Sequence, residues 1–157
     1  YYLTSNLIRL LCDTDNQPSM VGLLMQKEVA ERIAAEDGKM STLSCIAQFY
    51  YECYLGEMVP AHLFTPPPKV DSQILIMHRR QHQLYDVDTK RFFRLIKAGF
   101  GEKRKTLRNS LSSGLSLPKE TVEQVLGMAY IDPMRRAETM SLVEWKSVFD
   151  HLDSLTK

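Results

Sequence analysis

Phe64-Thr65-Pro66-Pro67-Pro68-Lys69-Val70-Asp71-Ser72-Gln73-Ile74-Leu75-Ile76-Met77-His78-Arg79 is the stretch on which the reading of this chain turns. Three consecutive prolines fix φ and remove backbone donors, so residues 66–68 form a stiff loop that cannot join a sheet ladder. Val70–Arg79 then reads as a strand. Its run Ile74–Met77 is apolar at consecutive positions, and a strand apolar on both faces belongs inside a sheet. A rigid loop anchored by a buried strand can hold the Phe64 ring in place for stacking on a planar ligand. The same residues also read more plainly, as a core plug and a proline linker between two strands.

Working toward the N-terminus, Glu52–Val59 alternates weakly and reads as a strand that Pro60 stops. Ser41–Tyr50 reads as a helix with Leu43, Ile46, Ala47 and Tyr50 on one face. Lys27–Ala35 places Val29, Ala30, Ile33 and Ala34 at helical spacing, with Gly38 ending the unit. Ser19–Gln26 is a short apolar run bounded by Asn16-Gln17-Pro18 and reads as a buried strand. Thr4 and Ser5 read as N-caps for a helix over Asn6–Cys12. Strands alternating with helices give α/β character.

Toward the C-terminus the texture changes. Residues 81–88 are polar and read as a linker, and from Thr89 onward only helical patterns occur. Phe92, Leu95, Ile96 and Gly99 share one face of a first helix, with Arg91, Arg94 and Lys97 outside. Helices are expected over Lys103–Leu111 and Pro118–Ala129. Ser141-x-x-Glu144 is a capping box opening a last helix, whose stripe is Leu142, Trp145, Phe149 and Leu152. The expected division is therefore an α/β part over 1–80, a linker over 81–88 and a helical domain over 89–157.

The 157 residues carry a net charge of +1, but unevenly. Residues 91–110 hold seven Lys and Arg against one acid, a local charge of +6, whereas the remainder holds 13 against 18. Such asymmetry points to a polyanion-binding patch. Lys103, Arg104, Lys105, Arg108 and Asn109 are the candidate phosphate donors, because Arg, Lys and Asn side chains commonly contact phosphate oxygens. On an expected helix, Arg104 and Arg108 would lie one turn apart on a stripe beside the core residues Leu107 and Leu111. A solvated charged face is the plain alternative, made less attractive by the lack of nearby acids in sequence.

Other chemistries find no support in the residues. Cys12, Cys45 and Cys53 are odd in number and include no C-x-x-C, so they read as free buried thiols of a reducing, cytoplasmic compartment. His62, His78, His82 and His151 do not cluster with acids, and no metal site is expected. Glu28 and Glu31 read as surface carboxylates. No stretch matches a P-loop or G-x-G-x-x-G. No apolar run approaches the roughly 20 residues a membrane span needs.

Taken together, the motifs resemble one family. Gln26-Lys27-Glu28-Val29-Ala30-Glu31-Arg32, Phe64-x-Pro66-x-Pro68-x-Val70-x-Ser72, Arg104-Lys105-Thr106-Leu107-Arg108-Asn109-Ser110-Leu111 and Ile131-Asp132-Pro133-x-x-Arg136-Ala137-Glu138 resemble, in order, the small-subunit ribosomal-RNA adenine dimethyltransferases. The Arg104–Leu111 run favours this type over large-subunit resistance methyltransferases and organellar transcription-factor relatives. The resemblance implies the C-terminal part of a Rossmann-like S-adenosylmethionine-dependent methyltransferase sheet, followed by a small all-helical domain. It implies methylation of two adjacent adenines near the 3′ end of small-subunit rRNA in the pre-ribosomal particle. It assigns Tyr1, as the tyrosine of an Asn-Leu/Ile-Pro-Tyr run, and Phe64 as the two faces that hold the target base. By the same resemblance the cofactor loop would lie upstream of Tyr1, so no cofactor-binding residue is expected within this chain and the chain alone would be inactive. A half-sheet would also expose an edge and apolar surface, so self-association is expected. A non-catalytic RNA-binding or ribosome-assembly module is the alternative.

Overall fold

A computed structural model describes residues 2–156, which fall into two compact units. The first comprises the chain up to Ala35 together with Leu43–Leu84. The second comprises Glu36–Thr42 together with the chain from Tyr85 onward. The inclusion of Glu36–Thr42 in the second unit has a simple cause: the Met40 N–H donates to the Glu138 carbonyl at 3.0 Å.

The first unit runs α1 (Tyr2–Asp13), β1 (Met20–Gln26), α2 (Lys27–Ile33), α3 (Thr42–Tyr50), β2 (Tyr51–Val59) and β3 (Ser72–Arg79). The strands form a three-stranded antiparallel sheet in the order β1-β3-β2. The strand expected inside a sheet is indeed its centre. It starts at Ser72 rather than Val70, which is exposed. Only one of its faces is fully covered: Gln73, Leu75 and Met77 are buried, whereas Ile74 and Ile76 are half-buried. The covered face packs under α2, which contacts all three strands and buries Val29, Ala30 and Ile33. Gln73 is the polar member of that face, and its amide donates to the Gly56 carbonyl within the bulge between Leu55 and Met58. The opposite face carries Met20, Leu24 and Tyr54, all substantially exposed.

Three expectations need correction here, the first being the buried strand over Ser19–Gln26: β1 is an edge strand in which only Met25 is buried. Thr4 and Ser5 do not cap α1 but lie inside it, since the helix already begins at Tyr2. Its buried residues are Ile8 and Cys12, one turn apart, whereas Leu3, Leu7 and Leu10 form an exposed stripe. Gly38 does not terminate α2, which stops at Ile33; it occupies a turn at φ 97°, a region open to glycine.

The second unit contains α4 (Thr89–Phe100), α5 (Leu107–Leu115), α6 (Lys119–Met128) and α7 (Leu142–Leu155). The α4 stripe buries Phe92, Leu95, Ile96 and Gly99, as its 3.6-residue period requires. Gly99 is needed because a Cβ there would come 2.4 Å from the Trp145 ring, which is fully buried. The capping box of α7 is present in both directions. The Glu144 N–H donates to Ser141 Oγ and the Ser141 N–H to Glu144 Oε1, each at 3.1 Å. Helix α6 ends in a Schellman turn: the Ile131 N–H donates to the Leu126 carbonyl at 2.9 Å and the Tyr130 N–H to the Gly127 carbonyl at 3.1 Å. A tyrosine, 98% exposed and at φ 58°, occupies the position that glycine usually takes.

Candidate nucleic-acid interface

Lys103–Leu111 is not one helix. Residues 101–106 form a turn, in which the Lys105 N–H donates to the Glu102 carbonyl at 2.9 Å, and α5 begins only at Leu107. Its start is set from outside the segment. The Leu107 N–H donates to the Arg135 carbonyl at 2.7 Å and the Arg108 N–H to the Pro133 carbonyl at 3.0 Å. The loop around Ile131-Asp132-Pro133 thus satisfies donors that a helix N-terminus otherwise leaves orphaned. Thr106, the N-cap residue, makes no side-chain cap bond.

This geometry sorts the five residues singled out in the sequence. Lys103, Arg104 and Lys105 sit exposed on the turn, and none forms an ion pair with a described residue. Arg104 and Arg108 do not share a helical stripe, because Arg104 lies outside α5. Arg108 is half-buried and its guanidinium is held by Glu123 of α6, 15 residues away. The Asn109 carboxamide oxygen is buried without a hydrogen-bond partner among the described residues, so it faces inward. The structure adds two cations that sequence reasoning left outside the site. Arg94 and Lys97 of α4 are exposed and free of ion pairs with described residues. They line an open groove of about 410 Å³ together with Gly101, Ser110 and Ser113. Their exposed positions in the α4 pattern were the available signal. By contrast Arg91 is bonded to Asp153 at 2.5 Å. The cationic surface is therefore Arg94, Lys97, Lys103, Arg104 and Lys105.

In the first unit, the proline loop is tethered at both ends. Asp71 Oδ1 accepts from the Ala61 N–H at 2.9 Å, and the Asp71 carbonyl accepts from the Lys27 N–H at 3.0 Å. The Phe64 N–H donates to the Ala61 carbonyl at 3.2 Å, closing a short 3-10 turn over Ala61–Leu63. Phe64 is half-buried while Thr65–Val70 are exposed. Tyr1, the other residue assigned to the target base, lies outside the described residues.

Other reactive groups are muted. Burial pushes the Cys12 and Cys53 thiols up to about 12, far from the range of a nucleophilic cysteine. No group of His, Cys, Asp or Glu among the described residues could hold a metal. Glu28 and Glu31 are surface carboxylates in i,i+4 pairs with Arg32 and Lys27. No helix among the described residues is long and apolar enough to cross a membrane.

The likeness to known proteins is one of family and of fold. The family model described as ribosomal RNA adenine dimethylase matches residues 1–149. A ribosomal RNA small subunit methyltransferase A of Dehalococcoides mccartyi is 41% identical over 147 residues, covering 93% of this chain and 50% of that protein. The protein of the same name from Clostridioides difficile is 36% identical over 148 residues, covering 92% of this chain and 51% of that protein. The chain thus spans about half the length of the curated relatives it matches. Among solved structures, a dimethyladenosine transferase from Plasmodium falciparum superposes with a TM-score of 0.80 at 21% identity, covering 98% of this chain and 64% of that one. The 23S rRNA methyltransferase ErmE gives 0.74 at 24%, covering 98% and 62%. Both show the same Rossmann-like α/β fold. With a family model over 149 residues and relatives at 41% identity, the chain belongs to the ribosomal RNA adenine dimethylase family.

Proposed function

We propose that this chain is the RNA-gripping part of an enzyme that dimethylates two adjacent adenosines near the 3′ end of small-subunit rRNA, within the pre-ribosomal particle. The observation that carries the reading is the exposed cationic set Arg94, Lys97, Lys103, Arg104 and Lys105 in a chain of this family. Cations without protein partners release counterions when they meet phosphates, which gives affinity with little sequence dependence. Arg108 and Asn109, in the first turn of α5, contribute to phosphate binding only where RNA displaces Glu123 or reaches the amide nitrogen.

The target base needs separate handling. An exocyclic adenine amine sits inside a duplex, so the nucleotide must be flipped out and its base held between flat groups. Phe64 supports that role by being half-exposed on a loop tied down by Asp71. Tyr1 would supply the opposite face. The methyl donor in this reading is S-adenosylmethionine. The described residues do not fit it: β1 passes into α2 with no intervening loop, and neither β2 nor β3 is followed by a glycine-rich turn. No step of the transfer therefore runs through the donor here. The alternative reading is an RNA-binding or assembly module without catalysis.

The test replaces Lys103, Arg104 and Lys105 together with Glu and measures RNA affinity against salt. Each lost phosphate contact removes about 0.7–0.9 from the slope of log K on log salt, so a change of roughly 2–3 is expected. An unchanged slope would reject the grip. In a chain extended to the length of its relatives, Phe64→Ala should slow methyl transfer by roughly 5- to 150-fold, the equivalent of ~1–3 kcal/mol of stacking. Phe64→Leu should recover part of that. A collapse in melting temperature instead would make Phe64 a core plug. If the extended chain binds RNA and transfers no methyl groups, the non-catalytic reading stands.

A further inference from the structure

We propose that the α4–α5 face takes one unpaired nucleotide of RNA, with its phosphate on Arg94 and Lys97 and its base in the hollow beside them. The inference rests on the reading of the helical unit as an RNA grip, and it names a place apart from residues 103–109. Two cavities adjoin there, and Arg94 lines both. The first is the open groove in which Arg94, Lys97 and the exposed Ser113 face the single acid Glu102. The second, of about 250 Å³, lies between α4, the end of α5 and α7, with Leu95, Leu115, Leu117 and Leu152 as its apolar wall. The charges of this second hollow resolve cleanly. Its acid, Asp153, is taken by Arg91 at 2.5 Å, and the Arg91 guanidinium lies over the Phe149 ring at 5.8 Å. Arg94 is left as the cation available at the junction of the two.

A cationic groove joined to an apolar hollow matches a particular ligand. Paired RNA presents phosphates and hides its bases, so it would use the groove and leave the hollow empty. An unpaired nucleotide offers a phosphate and a flat, poorly hydrated base side by side, and proteins receive such bases on apolar, aromatic and guanidinium surfaces. The Arg91 guanidinium over the Phe149 ring and the leucine wall supply those surfaces. The competing occupant is an acidic amphipathic peptide, which would use the same charge and the same leucines.

The experiment uses this chain and three fluorescent probes: a single-stranded oligoribonucleotide, the same strand made abasic, and a duplex of equal charge. Intact single strand should bind roughly fivefold or more tightly than the abasic strand, as for a stacked base. Leu117→Ser and Leu152→Ser should reduce that ratio toward one while leaving duplex affinity alone. Arg94→Ala should weaken all three probes. A far-ultraviolet melt confirms that each variant is folded, and Leu152→Ser stands in if Leu117→Ser is not. A ratio of one for the parent chain, or a ratio that both leucine variants preserve, overturns the site. If RNA still binds and responds to charge reversal at 103–105, only this inference fails. If the chain binds no RNA, the broader reading fails with it. An acidic amphipathic peptide that occupies the hollow without competing with the single strand would reassign the site to a protein partner.

Discussion

Gly114→Ala should destabilise the helical unit, against the usual preference of helices for alanine. Gly114 lies near the end of α5, where that helix meets α4. A Cβ added there would stand 2.7 Å from Ala98 Cβ, 2.9 Å from Ala98 Cα and 3.2 Å from the Ala98 carbonyl oxygen. Two of those atoms are backbone, so relief requires α4 and α5 to separate. Replacing glycine by alanine in a helix is worth about 0.8–1 kcal/mol. Forcing an extra methyl into a packed contact costs typically about 1–3 kcal/mol, and a contact against backbone belongs at the upper end. The net expectation is a loss of about 1–2 kcal/mol. Gly127→Ala is the control, because nothing lies within 4 Å of its added Cβ. It should be neutral or stabilising by up to about 1 kcal/mol. Trp145, the chain's one tryptophan, is buried in the same unit, so its fluorescence during urea unfolding reports on that unit alone. With slopes of about 1–3 kcal/mol/M, Gly114→Ala should lower the midpoint by roughly 1 M. If Gly114→Ala matched or exceeded the parent while Gly127→Ala stabilised, the close α4–α5 crossing would be refuted.

Two further outcomes follow from the same unit. The Arg135 guanidinium donates to both carboxylate oxygens of Glu144, the second at 3.0 Å, and holds that carboxyl below its ordinary range. A depressed folded pKa means its stabilisation is fully present above the usual carboxylate value and is lost as pH falls through the folded one. Urea midpoints should therefore drop below about pH 4, and Glu144→Gln should flatten that acid limb; an unchanged limb would discount the pair. Tyr130→Gly should raise stability by roughly 0.5–1 kcal/mol, because a non-glycine residue in the left-handed region costs about 1–2 kcal/mol and glycine returns part of that as chain entropy. A thermal melt that moved down instead would show that the exposed ring makes a contact of its own.

What could be read from the sequence is what local chemistry determines. The α4 stripe, the Ser141–Glu144 capping box and the central place of the Ile74–Met77 strand each follow from periodicity or a short-range hydrogen bond, which few tertiary contacts can override. The proline loop was legible for the same reason. The start of α5 was not. Thr106-Leu107-Arg108-Asn109 is helix-compatible throughout, and only the carbonyls of Pro133 and Arg135, more than 24 residues away, decide that the helix begins at Leu107. The charge count behaved likewise. Seven cations in residues 91–110 are visible in sequence, but Asp153 and Glu123 reach across the fold to take Arg91 and Arg108. Which cations stay free, and that Arg94 stands where two cavities meet, depends on how α4, α5 and α7 pack. Side chains distant in sequence become neighbours there through burial of the leucine and tryptophan core, which local propensity does not encode.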